Sequence, residues 1–202
     1  MNAEHGRAVD DLAFLRALAE GGGESQRATG LALFVGGSLY GAQCFIFGAH
    51  AYGWVTLSES VQGAVSTGVT VVFLIAIGWI TWRNRAPQTG GIVARALNAV
   101  FASAGTATLS MLVAFATVSL REKSLTIWLL YPCVVFALQG AAWTAAWMLR
   151  RRTWLGLVAL GWLVSAAVLA ISIGTNHYPM IAGVALVLFM AVPGRMMMQS
   201  AR

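Results

Sequence analysis

Charge is scarce in this chain, and acidic charge is missing from its apolar runs. Only 10% of the 202 residues are Asp, Glu, Lys or Arg, against roughly a quarter in a soluble domain. A chain so poor in charge need not present most of its surface to water. No Asp or Glu lies well inside an apolar run: Glu59 and Glu122 flank such runs, and the rest precede the first one. Ion-coupled transporters usually keep an ionisable group near the bilayer midplane, so that class is disfavoured. Lysine is reduced to Lys123 in a polar gap, which excludes a retinal Schiff base within a helix.

Cysteine is also scarce. Cys44 and Cys133 both lie in apolar runs, and they form neither a disulfide framework nor a CxxC pair. They read as small buried hydrophobes, although both fall at similar depth if the first and fourth runs touch. The basic start and cleavage signature of a signal peptide are missing. Residues 1–27 carry Glu4, Asp10, Asp11, Glu20 and Glu24 before the first run begins near Leu31. No nucleophile elbow, HExxH, P-loop or dinucleotide fingerprint is present.

What the chain does have is hydrophobicity, at 58% of residues and a mean hydropathy of +0.74. It is arranged in long runs at about 30–53, 61–82, 92–119, 125–149, 154–174 and 178–193. Each is long enough, or nearly so, to cross a hydrocarbon core of roughly 30 Å at about 1.5 Å per helical residue. The expected fold is therefore an all-α membrane protein with six transmembrane helices. Pro132 near one end of the fourth run frees the carbonyl of Trp128, and Pro193 is expected to end the sixth. Ahead of the runs, residues 8–20 (AVDDLAFLRALAE) read as a short helix with Leu12, Leu15 and Leu18 on one side. Gly21, Gly22 and Gly23 are expected to end it as a flexible tether. This divides the chain into a cytoplasmic helix and tether (1–27) and a transmembrane domain (28–202).

The basic residues set an orientation. Arg83 and Arg85 follow the second run, and Arg150, Arg151 and Arg152 follow the fourth. With both termini cytoplasmic, the outer gaps hold only Arg121 and Lys123, as the positive-inside rule requires. The net charge of +6 thus reads as a topology signal toward lipid headgroups, and not as a nucleic-acid surface.

Few residues point to chemistry. His50, His177 and Glu59 all fall on the outer side, so they are the candidate ligands for a metal, or the two histidines for a haem. Interfacial histidines without a ligand are the commoner case. Gln43, Asn98 and Gln139, with Gln62 and the helix-interior Ser and Thr, need hydrogen-bonding partners in hydrocarbon. They serve as interhelical ties or line a small polar cavity, to which the deep Trp143 would add a wall. Small residues recur every fourth position at Gly37/Gly41, at Ala99/Ser103/Ala107 and at Ala137/Ala141/Ala145. Such stripes let helices approach closely, within a chain or in a homo-oligomer.

The leader DLAFLRALAEGG (11–22), six spans and the stretch AAWMLRRRTWLGLVALGW (145–162) resemble a group of small uncharacterised six-helix inner-membrane proteins of Gram-negative bacteria. Members look like companions of small winged-helix regulators. The resemblance implies residence in a bacterial inner membrane and supplies no catalytic residues to carry over. The leading expectation is a non-enzymatic regulatory or scaffolding protein without a cofactor, docking a cytoplasmic partner through residues 8–20. A small-solute permease lined by Gln43, Asn98 and Gln139 is the second reading. A haem- or metal-binding oxidoreductase built on His50 and His177 is the third.

Overall fold

The structure, a computed structural model, describes residues 2–83 and 92–199. Side chains are described from Arg27 onward, apart from Ile92 and Ala94. The described chain is all helical: α1 (Asn2–Ala51), α2 (Glu59–Arg83), α3 (Ile92–Glu122), α4 (Leu125–Arg150), α5 (Thr153–Ile171), α6 (Tyr178–Leu186), a π-helical turn (Val187–Ala191) and α7 (Val192–Gln199). Six helical stretches are long and apolar enough to cross a membrane, the last being Tyr178–Gln199. The helix assignment of α1 runs unbroken through Gly21–Gly23. The side chains of the expected leader helix at 8–20 lie outside the described residues, as does Arg85.

Two helix ends differ from the sequence expectation, each for a visible reason. α5 stops at Ile171 and not near 174. The Ser172 N–H turns back onto the carbonyls of Val168 and Leu169, both at 3.0 Å, and Gly174 takes φ +83°, a conformation glycine adopts without steric cost. The sixth span does not end at Pro193 but continues to Gln199. Proline has no N–H and leaves the carbonyl four residues back unpaired. Here that carbonyl belongs to Phe189, and Trp162 Nε1 donates to it at 3.0 Å. The preceding π turn, where the Val192 N–H reaches Val187 O, accommodates the irregular backbone. A side chain from α5 thus repairs the break and the helix carries on.

The reversals around α4 are tight. Ser124 Oγ accepts from the Ile127 N–H at its start, an N-cap interaction. At its end Arg151 adopts a left-handed conformation (φ 53°) and its N–H reaches Trp147 O at 2.7 Å, a helix-terminating turn of the kind glycine usually makes. Lys123 is likewise left-handed at φ 48°.

The helices pack as two groups of three. α1 is the centre of one group, with α2 on it and α6, the π turn and α7 alongside. α4 is the centre of the other, flanked by α3 and α5. α5 joins the groups by packing on α6 and the π turn. α2 and α3 are consecutive in sequence yet fall at opposite ends of this packing order, and each rests on one neighbour. Among the described residues, Ile80 alone is buried on α2 and Leu97 alone on α3.

Side-chain volume explains the closest contacts. On α1, Gly30, Gly37, Gly41 and Gly48 lie along the contact with the sixth span. A Cβ on Gly37 would stand 2.5 Å from Ala191 N, and one on Gly30 2.7 Å from Gly194 O. The Gly37/Gly41 pair therefore packs helices within this chain. The core lies where α4, α5 and α6 meet. Trp143 and Trp162 are each 1% exposed. Phe136 meets Trp162 edge-on at 4.7 Å, and Phe101 of α3 meets Trp143 at 5.3 Å, the offset geometry that aromatic quadrupoles favour.

Candidate functional site

The richest polar arrangement among the described residues lies along α1 and α2. Apolar side chains gain nothing from one helix relative to lipid, so hydrogen bonds and close packing must hold a peripheral helix in place. α2 offers Gln62, Ser66 and Thr70 at four-residue spacing, which places them on one face. Their partners on α1 run in the opposite order, as antiparallel helices require. Gln62 Nε2 lies 3.2 Å from His50 Nε2, Gln43 Nε2 donates to Ser66 Oγ at 3.3 Å, and Tyr40 Oη donates to Thr70 Oγ1 at 3.5 Å. Thr70 Oγ1 in turn donates to Ser66 O at 2.9 Å. Phe73 follows, edge-on to Tyr40 at 5.3 Å.

His50 organises the end of this seam. Its Nδ1 lies 3.1 Å from Val55 O and 3.2 Å from Leu57 N, and Gln62 Nε2 is also 3.2 Å from Leu57 O. With the proton on Nδ1, His50 donates to Val55 O and accepts from Gln62, whose second N–H goes to Leu57. That choice gives up Nδ1 as an acceptor for the Leu57 N–H; the other tautomer keeps this bond but forgoes the Val55 bond and requires the Gln62 amide to flip away from Leu57. The first satisfies more groups and is assigned on that ground. Both ring nitrogens of His50 are then engaged within the protein.

His177 lies elsewhere in the same end of the molecule. Its Nδ1 hydrogen-bonds Tyr52 Oη, tying the α1–α2 turn to the α5–α6 turn, and Tyr52 stacks on the exposed Trp54 at 5.3 Å. Glu59 opens the first turn of α2. Among the described residues no three His, Cys, Asp or Glu side chains gather as a metal site, so His50, His177 and Glu59 are not brought together as one.

The residues read as a cavity lining are divided between the two helix groups. Gln43 sits in the α1–α2 seam, whereas Asn98 and Gln139 are half-buried on α3 and α4. Trp143 fills core space between Phe101 and Trp154, and its Nε1 has no hydrogen-bond partner. The cysteines meet α6 separately. Cys44 lies against Gly183. Cys133 Sγ donates to Leu129 O at 3.6 Å, and Tyr178 Oη donates to the same carbonyl at 2.6 Å. A groove of about 300 Å³ between α5 and α6 is lined by Val164, Val168, Met180, Val184 and Phe189, with Ser165 as its one polar residue, and suits an apolar chain.

Of the basic residues, Arg83 lies over the Trp79 ring at 5.1 Å, a cation–π arrangement. Arg151 and Arg152 are exposed and Arg150 is half-buried. The small-residue stripes divide as well. Gly37/Gly41 packs inside the chain, but Ala99 and Ser103 on α3 and Ala137 and Ala141 on α4 are exposed.

Sequence reasoning did not single out Tyr40 or Tyr52 as hydrogen-bonding residues, and it took Ser66 and Thr70 only among the helix-interior Ser and Thr in need of partners. The recurrence of Gln62, Ser66 and Thr70 was the available signal for the latter two. Tyr40 and Tyr52 have none, because aromatic residues in and beside membrane helices usually pack or anchor. No family model, curated protein or solved structure matches the chain.

Proposed function

We propose that the protein is a non-enzymatic, multi-pass regulatory or scaffolding component of a bacterial inner membrane, with both termini cytoplasmic. The observation that carries this reading is the outward aim of its close-packing surfaces. Lipid is best met by bulky apolar side chains, whereas small and hydroxylated residues mark helix–helix contacts. The α1 stripe is consumed inside the chain, but Ala99, Ser103, Thr106 and Ser110 on α3 and Ala137 and Ala141 on α4 are exposed. Those faces fit another transmembrane helix. The orientation rests on the arginines: Arg83, Arg150, Arg151 and Arg152 belong at the cytoplasmic end and Arg121 and Lys123 at the outer one. The cytoplasmic partner is assigned to the charged segment 8–20.

A photo-crosslinking residue at Ser103 should capture a membrane helix, and one at the exposed Val72 of α2 should capture only lipid. Deleting residues 1–22 should abolish capture of a soluble partner and leave insertion intact. Lipid adducts alone at Ser103, with unchanged partners after the deletion, would overturn the reading. A second reading, a small-solute permease, draws support from the hydrogen-bonded polar seam between α1 and α2. Solute flux into proteoliposomes that is lost in Gln43→Leu would favour it over the first.

A further inference from the structure

Ser165 stands apart from other hydroxyls on the spanning helices. Several of those turn back onto their own backbone: Ser172, on the same helix, donates to Val168 O at 2.7 Å, and Thr144 donates to Gly140 O at 2.8 Å. Ser165 is only 9% exposed, and its hydroxyl makes no hydrogen bond among the described residues. Gln43 Oε1, Thr108 Oγ1 and Trp143 Nε1 are unpartnered too, but they are sealed. Ser165 instead lines the α5–α6 groove, as its one polar residue. A hydroxyl without a partner in hydrocarbon is costly. An occupant that brings an acceptor to it gains more than apolar contact.

The shape and depth of the groove select the occupant. It follows α6 from Met180 to Phe189, roughly 14 Å at about 1.5 Å per residue. Its volume of about 300 Å³ over that length gives a cross-section of about 20 Å². A helix about 10–12 Å across does not enter it, whereas a single chain or a flat ring about 3.5 Å thick does. Val164, Val168 and Val184 are exposed, so the groove opens sideways to lipid. Ser165 lies roughly 9 Å short of the end of α5 at Ile171. A phospholipid carries its ester carbonyls at the headgroup boundary. Bringing one to Ser165 would draw a charged headgroup as far into hydrocarbon, at high cost. The acceptor must therefore belong to a neutral lipid that resides within the core. Phe189 closes the deep end of the groove, with its ring on Gly161 and 6.4 Å from that of Trp162. An aromatic side chain there pairs favourably with a flat ring.

We propose that the α5–α6 groove binds a prenylated quinone. One ring carbonyl accepts from Ser165 Oγ, the ring lies beside Phe189, and the prenyl tail leaves along Val168 and Val184 into lipid. Such a molecule is flat, uncharged and soluble in the hydrocarbon core. The site goes beyond the scaffolding reading and does not depend on it.

Photolabelling with an azido-substituted ubiquinone of short prenyl tail tests it. The full chain in phosphatidylcholine nanodiscs is irradiated and the adducts are mapped by mass spectrometry. The exposed Val72 and Ile75 of α2 measure labelling from bulk lipid. Residues 161–168 and 180–189 should be labelled several-fold more than α2 and saturably. Excess unlabelled ubiquinone should compete, and squalene, a prenyl hydrocarbon without a carbonyl, should not. Ser165→Ala should weaken the affinity about three- to tenfold, the worth of one hydrogen bond. Val168→Phe, which fills the groove from its exposed wall, should abolish the labelling there. Groove labelling no greater than that of α2 overturns the site. Displacement by squalene at equal concentration, or an unchanged affinity in Ser165→Ala, overturns the quinone assignment and leaves a groove for a plain apolar chain.

Discussion

Adding a single methyl group at Gly37 and at Gly68 should shift stability in opposite directions. A Cβ on Gly37 would sit 2.5 Å from Ala191 N, 2.9 Å from Leu186 O and 3.0 Å from Ala191 Cα. These are backbone atoms, which no rotamer change can move aside. Ordinary carbon contacts begin near 3.5 Å, so α1 and the sixth span must part by roughly 1 Å. A gap of that size forfeits about a quarter to a half of each contact's attraction, itself about 0.1–0.2 kcal/mol. With on the order of 40 heavy-atom pairs along the seam, the loss is about 1–4 kcal/mol, which spans the range measured for overpacked cores. The helix-propensity gain of alanine over glycine, about 0.8–1 kcal/mol, offsets part of it. Gly68 has nothing within 4 Å of a Cβ position, so Gly68→Ala keeps the propensity gain undiminished. The two variants should therefore differ by about 2 kcal/mol. Reversible unfolding in mixed micelles by added dodecyl sulfate, followed by tryptophan fluorescence, measures the difference. A Gly37→Ala protein as stable as Gly68→Ala would refute the claim that these backbones touch.

Two further perturbations probe other joints. Trp162→Phe removes the donor to Phe189 O, a carbonyl stranded by Pro193, and should cost about 1–3 kcal/mol in the same unfolding assay. Adding Pro193→Ala, which restores a backbone N–H, should recover part of that loss, and full additivity of the two changes would show that the carbonyl was never stranded. His50→Ala unties Val55 and Gln62, so amide exchange over residues 54–58 should rise roughly five- to tenfold, the equivalent of about 1 kcal/mol. Exchange there equal to the wild type's would mean that His50 does not anchor the turn.

The periodic features of the chain were legible in advance, and the irregular ones were not. Six apolar runs were read as helices and appear as helices, because the length of an apolar run answers to one number, the thickness of hydrocarbon. The end of the sixth could not be read. Pro193 signals a stop by its missing N–H, and that signal is correct locally. It is overruled by an indole from α5, placed by tertiary packing. The sharp turn at Arg151 was equally hidden, since a left-handed arginine carries no mark in the sequence. Gln43 was read as an amide in need of a partner, and its Nε2 donates to Ser66 Oγ of α2. Its grouping with Asn98, Gln139 and Trp143 assumed one central cavity, and the structure divides them between two helix groups.

By itself, then, the sequence determined the helical class, the number of spans and the alternation of basic residues between their ends. Each of these follows from one residue type meeting one solvent phase. Only the tertiary structure decided which helices are neighbours, which glycines touch and which polar side chains meet. In lipid, apolar faces do not distinguish partner helix from acyl chain. Pairing is therefore set by local fit, by Gly37 against Ala191, Ser66 against Gln43 and Trp162 against Phe189, and those fits exist only once the chain has folded.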